Sequence, residues 1–227
     1  MTPLFLLIGG RENRHVRIMI RCGVIAIVCS LPMIGRSALS NQASEQFRID
    51  AASSKILLNV GRSGLFGFAG HDHEVAVPAF AGNVMLDRAD ANRSSLSIQF
   101  DAAALTVTGK GEPPEDVPEV QRVMLSDRVL DVQRHPKITF VSRSISVVEG
   151  STNRMMLRVS GQLTLRGVAR PVTVPVEVQL SGDRLTATGK ATVRQTLFGM
   201  RPVSAGAGTV KVKDAVEVIF TVVARRF

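Results

Sequence analysis

From Phe47 onward apolar and polar residues alternate with a period of two, which puts successive side chains on opposite faces of a strand. Ile56, Leu58 and Val60 share one face, and Leu96, Ile98 and Phe100 share another. The longest run sets Met155, Leu157, Val159, Gly161, Leu163 and Leu165 against Met156, Arg158, Ser160, Gln162, Thr164 and Arg166, so the second face is almost wholly polar. Val172, Val174, Val176, Val178 and Leu180 repeat the pattern after Gly167-Val168-Ala169-Arg170, which predicts an antiparallel hairpin with a turn there. Ser181-Gly182-Asp183 then turns the chain into Leu185, Ala187, Gly189, Ala191 and Val193. The last strand aligns Val216, Val218, Phe220, Val222 and Ala224. Pro175 marks an edge, or a bulge at a barrel corner. About eight to ten such runs separated by turn signals predict an all-β chain, a closed barrel or a sandwich; closure leaves no unpaired edge.

One segment leaves this period. Thr108 to Pro118 is a Gly, Pro and acid-rich loop, and after it Val120, Val123, Met124 and Leu130 recur near helical spacing up to His135-Pro136. Asp116 is the expected N-terminal cap. One short helix between Asp116 and His135 is therefore predicted, either a lid over an internal cavity or a plug that completes the core. A second stretch, Leu65 to Gly82, reads as a strand, a polar mouth at His71-Asp72-His73-Glu74, and another strand.

Residues 1–40 have a different composition. Arg11, Arg14, Arg17 and Arg21 precede the apolar run Gly23 to Ile34, and Ala38 and Ser40 offer a small-residue cleavage site, the layout of a signal peptide. Met19 is an alternative start. The apolar run is too short to span a bilayer, which takes about 20 residues. The expectation is a leader at 1–40, a single β-barrel domain at 41–227, and a periplasmic or secreted location. Cys22 and Cys29 both leave with the leader, so no thiol or disulfide chemistry is expected of the mature chain. The full chain carries a net +9, but five Arg and one Glu lie within the first 40 residues; 23 basic and 18 acidic residues remain, a net +5. Those charges alternate along strands without aromatic interleaving, which argues against nucleic acid. Transient contact with an anionic membrane surface stays open.

His71 and His73 stand two apart, so on a strand their imidazoles project together. Phe66 and Phe68 are the residues to bury; they stand at even positions and the histidines at odd ones, so the expected placement of the pair on the lumen side takes a bulge at Gly67 or Gly70 between them. There the histidines suit a hydroxyl, amide or quinone oxygen. As metal ligands His71 and His73 need a third, from Glu74, His135 or elsewhere. Val77 stands where a zincin motif needs its second His, and Pro202-Val203-Ser204-Ala205-Gly206 lacks the first Gly of a nucleophile elbow. Asp131 and His135 pair either as orienter and base or as simple helix-end charges.

Several segments in order resemble the YceI-like family: Phe47-Arg48-Ile49-Asp50, Phe80-Ala81-Gly82 with Leu86-Asp87, Leu125-Ser126 with Leu130-Asp131-Val132, His135 to Phe140, Gly161 to Gly167, and Thr196-Leu197-Phe198-Gly199. The resemblance spans Phe47 to about Ala224. It implies a lipocalin-like closed antiparallel barrel of about eight strands in an exported protein that binds isoprenoid or fatty-chain lipids. The expected function is a periplasmic carrier of an elongated apolar molecule (isoprenoid, quinone or fatty-chain lipid), working as a monomer or homodimer. No cofactor is expected beyond a bound isoprenoid or quinone as ligand. Expected lumen contacts are Ile56, Leu58, Phe66, Phe68, Leu96, Ile98 and Leu163, with His71 and His73 at the mouth. Gly161, Ala187, Gly189 and Ala191 are small enough to leave room inside. Two alternatives are a metal-dependent or acid-base enzyme at His71/His73 and an empty-barrel stress-response protein.

Overall fold

The computed structural model describes residues 44–63, 72–151, 153–205 and 210–227. Among them the strands are β1 (Glu45–Ser63), β2 (His73–Ala76), β3 (Phe80–Leu86), β4 (Ser95–Asp101), β5 (Thr106–Val107), β6 (Lys137–Ser151), β7 (Arg154–Leu165), β8 (Val168–Ser181), β9 (Arg184–Arg194), β10 (Ser204–Ala205) and β11 (Val210–Arg226). All pairings are antiparallel. The order β11-β9-β8-β7-β6-β4-β3-β1 returns to β11, which closes an eight-stranded barrel. Of the two predicted all-β architectures, the barrel is the one formed. Three short strands lie outside the ring: β2 on β1, β5 on β2 and β10 on β11.

The alternation survives in the fold, with one change of phase. Phe47 and Ile49 are buried at odd positions, whereas Ile56 is buried and Leu58 packs on the core at even ones. Between them the partner of β1 on β11 jumps from Asp50↔Val223 to Lys55↔Thr221. This odd offset lets both apolar sets face inward, because a one-residue slip turns every side chain to the other face. The bulge is held by its own polar groups. Ser53 donates from N and Oγ to the Asp50 carboxylate at 3.2 and 2.8 Å, and Val223 N donates to Ser54 Oγ at 2.9 Å.

The predicted hairpin forms between β7 and β8, but its turn is tighter than the four residues expected. Only Arg166 and Gly167 lie between the strands, both at positive φ (52° and 72°). That is the twist-matched two-residue turn, which favours Gly at its second position. Arg166 is tied down by donating to Gly199 O and Asp127 O at 3.1 and 2.7 Å.

The predicted helix is shorter than the segment that suggested it. α1 spans Val117–Leu125, and a series of turns carries the chain to His135. Asp116 occupies the capping position, yet its side chain makes no cap hydrogen bond because the residue already has helical backbone angles. Gln121 fixes α1 to the sheet: Val107 N donates to its Oε1 at 2.8 Å, and its Nε2 donates to Leu105 O at 2.9 Å. The amide thus stands where a neighbouring strand would. Met124, with Val129 and Leu130 from the following turns, lines the barrel cavity, so this segment covers a space and does not fill it.

Candidate functional site

The barrel encloses a cavity of about 700 Å³. Its wall is built from the inward positions of the strands, and Ile56, Leu58, Leu96, Ile98 and Leu163 all contribute to it. Phe66, Phe68 and His71 lie outside the described residues. Two of the small residues expected to leave room do not. A Cβ on Gly161 would lie 2.6 Å from Phe140 Cζ, and one on Gly189 would lie 2.6 Å from Phe220 Cζ. The two rings lie over the glycines and take up the space that sequence reasoning assigned to a ligand. Ala187 and Ala191 do face the cavity.

The wall is incomplete on one side. β8 and β9 pair from Ser181↔Arg184 to Val176↔Gly189 and stop. Beyond that point β8 continues to Val168 against β7, and β9 continues to Arg194 against β11. Val172, Val174, Ala191 and Val193 line the cavity as inward residues, but so do Pro171, Thr173, Thr192 and Arg194, which have the opposite parity. On the other barrel strands only inward positions contribute, so the wall is open between these two segments. The prolines explain where the ladder ends: Pro175 adjoins the last pair, Pro171 shares its parity, and neither has an N–H to donate. Pro175 was expected at an edge or a corner, and it marks the start of the gap. A short 3₁₀ turn, Gln195–Phe198, passes the far end of the gap, where Arg170 Nε donates to Leu197 O at 3.0 Å.

His73 shares the parity of Val75 and Val77, both of which line the cavity, so its ring is on the inner side of β2. It meets a residue that spacing did not single out. Glu112, from the loop before α1, brings Oε2 to 2.9 Å from His73 Nδ1, with the carboxylate side chain 1% exposed and the imidazole 20%. The approach lacks hydrogen-bond alignment, and among the described residues neither carboxylate oxygen has another donor. Glu74 does not join them. It points to the other face, where Lys110 Nζ and Thr108 Oγ1 donate to it at 3.1 and 3.2 Å, and the lysine holds its carboxyl below the usual range. His135 is elsewhere too, its ring 2.8 Å from where a Cβ on Gly167 would be. Among the described residues no three His, Cys, Asp or Glu side chains converge as metal ligands.

Asp131 is no base-orienting partner of His135. Its backbone oxygen accepts from His135 N at 2.8 Å, while its buried carboxylate pairs with Arg134, which lowers its pKa. Asp87 is structural as well. Its carboxylate accepts from the N of Asp90 and of Ala89, each at 2.9 Å, and from Arg93 at 2.8 Å; these bonds, led by that from Asp90, hold its pKa down.

Comparison with known proteins bears on this barrel and its cavity directly. The YceI-like domain matches residues 47–224. The chain belongs to the YceI-like family. A UPF0312 protein of Pseudomonas putida (strain W619) is 27% identical over 144 residues, covering 61% of this chain and 69% of that protein. Among solved structures, Burkholderia cenocepacia BcnA superimposes with a TM-score of 0.61 at 26% identity, covering 77% of this chain and 98% of its own. A polyisoprenoid binding domain from Saccharophagus degradans, implicated in plant cell wall breakdown, covers 80% of this chain and 98% of its own with a TM-score of 0.57; at 14% identity it shows the shared fold alone. The YceI-like barrel here therefore has the fold and helix that the sequence pattern and the resemblance implied.

Proposed function

We propose that this YceI-like barrel is a carrier that holds an elongated apolar molecule, an isoprenoid, quinone or fatty-chain lipid, in its lumen. The observation that carries the reading is a cavity of about 700 Å³ walled almost entirely by aliphatic and Phe side chains. Taking about 30 Å³ for a methylene-sized group, close to water's share of liquid volume, it has room for about 20 such groups. Burying each contributes roughly 0.8 kcal/mol, so even half a chain offsets the cost of immobilising a ligand. The S. degradans relative, a polyisoprenoid binding domain, supports the same ligand class.

The workplace we propose is the periplasm, reached through the leader at residues 1–40. Mass spectrometry of a periplasmic fraction is expected to show a chain beginning near Asn41, without Cys22 and Cys29; an intact chain in the cytoplasm refutes export. Native mass spectrometry of gently extracted protein tests the carrier itself. The expected result is an apolar adduct. Its absence under several extraction conditions, together with failure to take up added C20 chains, would replace the carrier by an empty barrel.

A further inference from the structure

We propose that the gap between β8 and β9 is a headgroup site, where the polar end of a bound chain leaves the lumen and an anionic group, phosphate or carboxylate, is held by Arg170 and Arg194. The inference deepens the carrier reading and rests on it. A chain with a polar terminus cannot bury that terminus in an aliphatic lumen without losing its hydration, so the terminus must sit where the wall is open. The wall is open where outward residues join the lining, at Pro171, Thr173, Thr192 and Arg194.

The charge at the opening selects the headgroup. Arg170 and Arg194 line the cavity, and no Asp or Glu does among the described residues. Arg170 is positioned by donating from Nε to Leu197 O and from Nη1 to Ala169 O, at 3.0 and 3.3 Å, and neither acceptor neutralises it. Arg194 has no ion-pair partner among the described residues. The neighbouring carboxylate on β11, Asp214, next to the Ala215 that pairs with Arg194, is engaged by Thr196 N and Oγ1 at 2.8 and 2.9 Å. Guanidinium groups bind phosphate and carboxylate through paired N–H donors, and the Thr173 and Thr192 hydroxyls flank the same opening. Thr173 Oγ1 is 2.9 Å from Ser160 Oγ, which leaves it an acceptor or donor to spare. A cationic headgroup meets only like charge here. A neutral alcohol gains nothing from the arginines.

The test uses the leaderless chain and three C20 probes, geranylgeranyl monophosphate, arachidic acid and geranylgeraniol, with binding measured for the wild type, R170Q/R194Q and R170K/R194K. For the double Gln variant, the phosphate, the carboxylate or both are expected to weaken by about tenfold or more, as loss of a charge-assisted contact requires, while the alcohol changes by less than about twofold. Which anion responds identifies the headgroup. The Lys variant recovers most of the loss. If Gln at Arg170 prevents folding, R194Q alone carries the test, because among the described residues that side chain supports no other group. Equal loss on all three probes, or no loss on either anion, overturns the headgroup site and leaves the carrier standing. A wild type that binds none of the three overturns both.

Discussion

If the cavity holds the chain, then filling part of it must shorten the chain it prefers, and Ala187 is the place to do so. Ala187 lies on β9 between Val178 and Val222 and faces the cavity. A187F puts six more carbons into a space with room for about 20 methylene-sized groups. For a homologous series, affinity is expected to tighten about fourfold per added methylene and to level off once the lumen is full. In the wild type that break comes at about 20 carbons by the volume estimate; in A187F it moves to about 14. A C20 chain then loses up to about 5 kcal/mol, six groups at roughly 0.8 each, and a C12 chain loses little. The chain has neither Trp nor Tyr, so displacement of a fluorescent fatty-chain probe can be followed without intrinsic background. Thermal unfolding provides the control, since a Phe forced into a solid core costs about 1–3 kcal/mol whereas one entering an open lumen does not. An unchanged break point, or a loss independent of chain length, refutes an axial chain in this cavity.

Three further outcomes follow from local geometry. G189A is expected to destabilise the barrel by about 1–3 kcal/mol through overpacking, because the new Cβ meets Phe220 Cζ and Pro175 O at 2.6 Å; in a G189A/F220L double mutant the part of that cost due to the ring should vanish in a denaturant titration while the part due to the Pro175 carbonyl stays, and strict additivity would show that the ring is not an obstacle. E112Q removes a buried carboxylate whose two oxygens have no aligned donor among the described residues and is expected to raise stability by about 1–3 kcal/mol; a loss of similar size would show that His73, 2.9 Å away, pairs with the carboxylate. Asp87 and Asp131 both have depressed pKa values in the fold, from the bonds to Asp90 N and to Arg134 respectively. Their stabilisation is therefore complete above the unfolded-state value near pH 4 and is lost as pH falls below it. Melting temperature measured from pH 6 to pH 2 should fall at the acid end, less steeply in D87N; a profile with the same acid slope in both proteins sinks the assignment.

The fold was legible because its signal repeats. Each strand states the period of two again, and the Val172 to Leu180 and Met155 to Leu165 runs face the core just as their parity requires. The phase change in β1 was not legible, since Ala51 to Ser54 look like any polar interruption and only the pairing with Val223 and Thr221 shows an odd offset. Small side chains identified free space only in part: Ala187 and Ala191 face the cavity, but Gly161 and Gly189 do not leave it open. A Gly leaves room only if nothing else enters it, and Phe140 and Phe220 enter it from neighbouring strands. Cross-strand partners are a property of register, which single-residue size does not carry.

The polar features were hidden for a related reason. Glu112 lies nearly forty positions from His73 in a loop whose Gly, Pro and acid content signals exposure, and a buried carboxylate there follows only once α1 and β5 bring that loop against β2. The gap in the wall, by contrast, left a trace. Pro171 and Pro175 recur four apart within an otherwise regular Val-rich strand, and a strand with two missing donors of one parity can complete a ladder on one edge only. The other edge must face water, a bulge or an opening. In a barrel already closed by β1 and β11, such an edge opens the wall onto the lumen; that is where Arg170 and Arg194 are placed to meet whatever part of a ligand the lumen cannot hold.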